Sequence, residues 1–144
     1  MILLRALDDD GIERLLDLAV ADADPADVMP PGWTTDRRDA FRDFYRGFLT
    51  DAYEIVRDGR TVGMARLTAD GETGMWIARH ARGGGVGLAA LRHVVAEAPR
   101  RGITTIVADT TTDNTAALTV LRKAGAALDV DGDRVTARLP VPPP

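Results

Sequence analysis

The chain has 144 residues, a net charge of −4 and no cysteine, which suits one domain with a single core. The lack of cysteine excludes disulfides, thiolate zinc sites and a cysteine nucleophile. The acidic balance argues against nucleic-acid binding, and no apolar run approaches the roughly 20 residues of a membrane span. The N-terminus turns acidic after one short apolar patch, so we expect no signal peptide, no membrane partner and a cytoplasmic location.

The charge is unevenly distributed along the chain. Residues 1–50 carry eleven acidic and six basic side chains, whereas residues 51–144 carry eleven acidic and twelve basic ones. An acidic segment of this kind can attract a cationic substrate, or it can be a solvated acidic helix and loop. The sequence leaves both interpretations open.

The first third is predicted to form a strand and two helices. Residues 2–7 are predicted as a strand, and "DGIERLLDLAV" as a helix that a capping box of Asp10 and Glu13 begins. A proline-rich loop that contains Trp33 follows. A second helix is expected from near Thr35, and its aromatic stripe is expected to pack in the core: Phe41, Phe44, Phe48.

Three Asp-Gly pairs indicate tight turns between apolar runs. The first two pairs, at residues 58–59 and 70–71, predict a three-stranded antiparallel meander over residues 51–78. The third pair, at residues 131–132, predicts a hairpin near the end of the chain.

Between the meander and the hairpin, the sequence predicts a helix over 86–100, a strand over 103–108 and a last helix. Asn114 lies near the start of that last helix, and Gly125 is expected as its C′ residue. The resulting fold class is α/β with a mixed sheet, followed by a proline-rich tail at residues 141–144.

The stretch "ARHARGGGVGLAAL" at residues 78–91 points to an anion site. Glycines before a helix let a phosphate contact unpaired N–H groups at the positive end of the helix dipole, and Arg82 adds a cation. Residues 85–90 also fit the dinucleotide fingerprint G-x-G-x-x-A, with Asp109 near the distance of a ribose-binding acid. We reject that match because a charged loop precedes the glycines and too few residues follow Asp109 for further parallel strands.

Two motifs resemble the GNAT superfamily of acetyl-CoA-dependent N-acetyltransferases. Arg82-x-x-Gly85-x-Gly87 is similar to its R/Q-x-x-G-x-G/A motif. The stretches "ETGMWIARHARGGGVGLAAL" and "NTAALTVLRKAGA" resemble the RimJ/RimL branch. The resemblance implies a single GNAT domain over residues 1–140, with about four helices and a central sheet of six or seven strands that splays between the fourth and fifth strands.

The resemblance also implies the functional residues. Asn114 would contact the arm of coenzyme A, a role compatible with capping the last helix. A backbone N–H near Ile77 would polarise the thioester carbonyl. The residues implied for the pantetheine arm and the pyrophosphate are Trp76, Ile77, Ala78, Arg82, Gly83, Gly84, Gly85, Val86 and Gly87.

Acetyl transfer needs a proton acceptor for the attacking amine, and Glu72 is the first candidate base, with Asp109 the second. Leu121 stands where many members of the superfamily carry a tyrosine that protonates the leaving thiolate, and the resembled branch also has leucine there. His80 and the other histidine are isolated, so no metal site is expected.

The sequence therefore predicts an N-acetyltransferase that uses acetyl-CoA. The acceptor is expected to be a primary amine on a small cationic molecule or on a protein N-terminus, and a homodimer through the last two strands is a further expectation. Two alternatives are a non-catalytic acyl-CoA-binding sensor and a small NAD-dependent oxidoreductase.

Overall fold

A computed structural model describes residues 1–143, which form four helices and seven strands. The elements in chain order are β1 (Ile2–Ala6), α1 (Asp9–Asp22), α2 (Arg38–Arg46), β2 (Ala52–Arg57), β3 (Arg60–Leu67), β4 (Thr73–Ile77), α3 (Val86–Glu97), β5 (Thr105–Thr111), α4 (Thr115–Lys123), β6 (Ala127–Asp131) and β7 (Arg134–Pro140). Short 3-10 turns lie at Pro25–Asp27, Arg79–Ala81 and Ala98–Arg101.

The first four strands form one antiparallel sheet in the order β1-β2-β3-β4. Asp58 and Gly59 both adopt positive φ angles, 50° and 84°, which is the geometry of a type I′ hairpin turn between β2 and β3. The three-stranded meander predicted from the Asp-Gly pairs is thereby confirmed.

The last three strands form a second antiparallel sheet in the order β5-β7-β6. The two sheets meet at one parallel bridge between Glu72 and Val107, where the Val107 N–H donates to the Gly71 carbonyl at 2.9 Å. Beyond this bridge β4 and β5 diverge. The mixed α/β fold with a splay between β4 and β5 is confirmed.

Two apolar clusters lie on opposite faces of the first sheet. Successive strand residues alternate between faces. Met64 and Trp76 therefore pack with α1 and α2, whereas Ala65 and Met75 pack with α3 and α4. The phenylalanine stripe belongs to the first cluster, where Phe41 is fully buried and Phe44 and Phe48 are partly buried.

Several predicted boundaries were wrong by a few residues. The N-cap of α1 is Asp8, whose carboxylate accepts the Gly11 N–H at 2.7 Å, so Asp10 and Glu13 form no capping box. Helix α2 begins at Arg38 rather than near Thr35, because the Arg37 N–H is bonded to Thr34 in a preceding turn. Strand β5 runs to Thr111, since β7 pairs with it along its whole length.

The C-terminal ends of α3 and α4 depend on a proline and a glycine. Helix α3 ends at Glu97 and not at the predicted residue 100, and Pro99 lies in the 3-10 turn that follows. Gly125, with a φ of 85°, follows the C-cap of α4 as predicted. Within residues 1–143 no helix combines the length and the apolar character that a membrane crossing requires. Of the proline-rich tail, Pro144 lies outside the described residues.

Candidate active site

The N-terminus of α3 is capped by a glycine. Gly85 is the N-cap with a φ of 79°, Gly83 has a φ of 80°, and no side chain of the described residues caps this end. Glycine adopts this left-handed backbone without strain. The first N–H groups of a helix have no partner within the helix, so they and the helix dipole can bind an anion here.

The three glycines at 83–85 face open space, because a Cβ atom built on any of them would meet no heavy atom within 4 Å. Gly84 differs from its two neighbours because its φ is not positive. Neither backbone strain nor a contact inside the protein therefore explains the glycine at position 84. Close approach of a bound molecule to the backbone would explain it.

Gly87 lies in the first turn of α3, where the helix contacts β4 and α4. A Cβ atom at this position would lie 3.4 Å from both Ile77 Cδ1 and Val120 Cγ2. A larger side chain would push these two neighbours apart at the open end of the splay.

The register of β3 and β4 determines which backbone groups face the splay. The Ala78 N–H donates to the Val62 carbonyl at 2.8 Å, and the pairing alternates along the strands. Trp76 and Ala78 therefore bond to β3, whereas the N–H and C=O groups of Met75 and Ile77 point towards β5. This edge of β4 can pair with an extended ligand.

Arg82 and His80 tie the loop after β4 to the α1–α2 connection. The Arg82 guanidinium donates to the Ile77 carbonyl at 3.2 Å and to the Asp27 carboxylate at 2.9 Å. The Asp22 carboxylate accepts hydrogen bonds from the His80 backbone N–H and ring, and the side-chain bond lowers the pKa of Asp22. The side chain of Arg82 is thus engaged within the protein, and the glycine-loop backbone is the freer anion donor.

The other predicted site residues lie around the splay. Asn114 is the N-cap of α4 and accepts the Ala117 N–H at 3.1 Å. Glu72 directly precedes β4 and is exposed at the bridge between the sheets, and the alternation of side chains along the strand places it on the same face as Trp76. Asp109 is exposed on β5 and accepts a hydrogen bond from Thr136 of β7.

An aromatic pocket lies between α2, the α1–α2 connection and β4, on the face of the sheet that Glu72 shares. Its walls are Met29, Phe44, Tyr45, Phe48, Ala52, Met64, Gly74, Met75 and Trp76, and its two charged members are Asp27 and Arg66. Asp27, Met29 and Arg66 were not predicted as site residues from the sequence. For Arg66 a signal was present, since this arginine shares a strand face with the buried Met64.

Tyr45, Trp33, Trp76 and Leu121 are all buried. Trp76 Nε1 donates to the Tyr45 hydroxyl at 3.1 Å, and burial raises the pKa of Tyr45 to about 12. Trp33 packs against Phe41 and donates to the Arg37 carbonyl at 2.9 Å. Leu121 lies in the core beneath α3. Trp33 is therefore a core residue, and Trp76 also lines the aromatic pocket.

A family model described as "Acetyltransferase (GNAT) family" matches residues 12–126, which is most of the chain. The chain belongs to the GNAT family of acetyltransferases. The matched region includes both the glycine loop and Asn114, on which the resemblance in sequence was based. No curated protein matches the chain significantly.

Solved structures share this fold over nearly the whole chain. The ribosomal L7/L12 alpha-N-protein acetyltransferase RimL, solved with coenzyme A, has a TM-score of 0.80 and 18% identity, covering 97% of this chain and 94% of its own. An acetyltransferase from Salmonella typhimurium that modifies the N-terminal serine of L7/L12 has a TM-score of 0.78 and 18% identity, covering 98% and 95%. YncA from the same organism, solved with acetyl-CoA, has a TM-score of 0.71 and 20% identity, covering 98% and 94%.

Proposed function

We propose that this GNAT acetyltransferase moves an acetyl group from acetyl-CoA to a primary amine on a small molecule or at a protein N-terminus. The observation that carries the proposal is the divergence of β4 and β5 beside a helix whose N-terminus is capped only by glycine. The N-terminus of α3 at one end of this gap can bind a pyrophosphate, and the free edge of β4 can pair with an extended pantetheine arm.

The coenzyme would be held mainly by backbone groups. Residues 83–87, in the glycine loop and the first turn of α3, would donate N–H groups to the pyrophosphate, since the Arg82 N–H already donates to the Arg79 carbonyl. Of the β4 residues assigned to the pantetheine arm, Ile77 presents its N–H to the gap, whereas its carbonyl already accepts a hydrogen bond from Arg82; Trp76 and Ala78 flank it. Asn114, at the start of α4 after β5, would contact the arm from the other side of the gap.

The reaction is attack of a neutral amine nitrogen on the thioester carbonyl carbon. A carbon–nitrogen bond forms, the carbon–sulfur bond breaks, and coenzyme A leaves as the thiolate. The Ile77 N–H would stabilise the developing oxyanion. The amine proton would pass to the Glu72 carboxylate, directly or through water. A thiol has a pKa near 8.5, so at neutral pH the thiolate leaves without a dedicated acid, which is consistent with Leu121 on α4.

The nature of the acceptor is the finer part of the proposal. RimL is named as an alpha-N-protein acetyltransferase, and another relative modifies an N-terminal serine. These relatives support a protein N-terminus as one acceptor class. Six of the eleven acidic residues in positions 1–50 pair with arginines or with His80, which weakens the case that this segment recruits a cation.

The test is an acetyl-transfer assay with acetyl-CoA and a panel of amines, amino acids and short peptides. Coenzyme A release is followed by thiol detection, and the acetylated product by its mass. We expect turnover in the wild type and a loss of roughly 100-fold or more in kcat for Glu72→Gln, the range typical of general bases. Asp70→Asn, in the same turn, is the control and should retain activity.

Three other outcomes would contradict parts of the proposal. Coenzyme binding without turnover of any acceptor would favour the non-catalytic sensor. Binding of NAD instead of coenzyme A would favour an oxidoreductase. Equal activity of Glu72→Gln and the wild type across pH would remove Glu72 as the base while leaving acetyl transfer in place.

A further inference from the structure

The aromatic pocket contains one arginine whose charge is not matched by a carboxylate. Arg66 is half-buried on β3, and no carboxylate oxygen of residues 1–143 lies within 4.0 Å of its guanidinium. Taking a guanidinium out of water without a counter-ion is unfavourable. A half-buried arginine without a partner is therefore suited to bind an anionic ligand.

The neighbours of Arg66 leave its guanidinium accessible from the pocket. Its partners across the two adjacent strands are Ala52 and Gly74, which have the smallest side chains. A Cβ atom at Gly74 would lie only 3.8 Å from Arg66 Nη2. The guanidinium carbon lies 5.7 Å from the centre of the Phe48 ring, a cation–π distance that holds the side chain at the pocket wall.

The second charge of the aromatic pocket is already neutralised. Asp27 accepts a hydrogen bond from Arg82 Nη2 at 2.9 Å, and Arg82 is anchored to the Ile77 carbonyl. The pocket thus offers an apolar, aromatic body with one unmatched positive charge. A polycation such as a polyamine would meet repulsion at Arg66.

The position of Arg66 relative to the splay links this charge to the reaction. Its cross-strand partner Gly74 directly precedes Met75, whose backbone groups face the gap between β4 and β5. An acceptor in the aromatic pocket would therefore have its amine near the edge of β4 and another group at Arg66.

We propose that Arg66 selects acceptors that carry an anionic group together with the amine on an apolar body. The inference rests on the proposed acetyltransferase function and names the acceptor chemistry for the same site. A free amino acid supplies the anion as its own carboxylate, and a peptide N-terminus supplies it as a neighbouring acidic side chain. Arg66 acts in binding, so it should affect KM rather than kcat.

The experiment compares acceptors that share an apolar body and differ in the anion, and the comparison of variants on the same acceptor cancels the difference in amine basicity. One pair is L-phenylalanine and L-phenylalanine amide; the other is a short peptide with Asp or with Asn at its second position. Each is assayed with acetyl-CoA and the wild type, Arg66→Gln, Arg66→Lys and Arg60→Gln. Arg60 begins the same strand and is exposed, which makes Arg60→Gln the control.

We expect the wild type to prefer the anionic member of at least one pair. Arg66→Gln should raise KM for that member about 10-fold or more, leave the neutral member nearly unchanged, and remove the preference. Arg66→Lys should keep part of the preference for the anionic member, and Arg60→Gln should behave as the wild type. Which pair responds distinguishes an amino acid from a peptide acceptor.

Two results would overturn the inference while leaving acetyl transfer intact: a preference of the wild type for the neutral member of both pairs, or equal effects of Arg66→Gln on both members of each pair. If acetyl-CoA binds but no acceptor turns over, ligand-induced thermal stabilisation by the same pairs replaces KM as the readout. Failure of acetyl-CoA to bind at all would instead overturn the proposed function.

Discussion

Glu54 is a fully buried carboxylate that holds four elements together. It lies on β2 and accepts hydrogen bonds from Arg5 of β1 and Arg14 of α1 at 2.8–3.2 Å, and from Thr61 of β3. Burial alone would raise the pKa of Glu54, but the hydrogen bonds from the two arginines and the threonine lower it to about 2. The carboxylate is therefore charged in the folded protein at all ordinary pH values.

Because the pKa of Glu54 is lowered in the folded protein, this carboxylate should make the free energy of unfolding depend on pH in the acid range. Its contribution is complete above its ordinary pKa of 4.5 and is lost as the pH falls towards about 2. Glu54→Gln should lower the free energy of unfolding by about 2 kcal/mol at pH 7. This is less than for a fully buried pair, because both arginines are about two-fifths exposed and can be hydrated.

Chemical unfolding at a series of pH values measures this difference. The gap between the wild type and Glu54→Gln should be largest above pH 4.5 and should shrink as pH 2 is approached. A gap that stays constant with pH would show that Glu54 contributes through packing and not through its charge.

At the scale of elements, the junction of the two sheets depends on Gly71. Its φ is 89°, its carbonyl accepts the Val107 N–H, and a Cβ atom there would lie 2.3 Å from the Thr105 carbonyl oxygen. Gly59 has a similar φ of 84° but faces open space. Both glycines therefore need a left-handed backbone conformation, but only Gly71 lies so close to a neighbouring strand that a side chain would clash.

Alanine substitutions at these two glycines separate the two effects. Gly59→Ala should cost about 1–2 kcal/mol for the left-handed backbone alone. Gly71→Ala should cost about 4 kcal/mol, because overpacking against the β5 backbone adds to the same strain. Denaturant unfolding measures both variants. Equal losses would mean that β5 moves away from Gly71 easily and that the junction is not a fixed point.

The order of helices and strands could be predicted from the sequence because each turn or cap depends on a few neighbouring residues. The Asp-Gly pairs, the glycine loop and Asn114 each determine their own turn or cap. The α1 cap was misplaced because Asp8, Asp9 and Asp10 are chemically equivalent as caps, and only the folded geometry selects Asp8. The aromatic pocket was not predicted, because Arg66 and Asp27 come together through long-range pairing of β3, β4 and the α1–α2 connection.

At the scale of the whole molecule, the two sides of the site are physically connected. The loop that precedes α3 is bound to the α1–α2 connection through Arg82 with Asp27 and through His80 with Asp22. The glycine loop and the aromatic pocket therefore share a support. The homodimer stays a prediction, and its surface would be β6, the outer strand of the second sheet.

Thermal unfolding with acetyl-CoA, coenzyme A or NAD tests most directly whether the glycine loop binds the coenzyme A pyrophosphate; the proteins compared are the wild type, Gly84→Ala and Gly59→Ala. A ligand that binds the native state raises the unfolding midpoint. At a ligand concentration of 100 times the dissociation constant, the free energy of unfolding rises by about 2.7 kcal/mol. The wild type should be stabilised by both coenzyme A forms and not by NAD. Gly84→Ala should keep the ligand-free midpoint, since a methyl group there meets only open space, but lose most of the stabilisation. Gly59→Ala should have a lower ligand-free midpoint than the wild type but keep the full stabilisation by coenzyme A. Stabilisation by NAD alone, or full stabilisation of Gly84→Ala by coenzyme A, would contradict a coenzyme A pyrophosphate at the glycine loop.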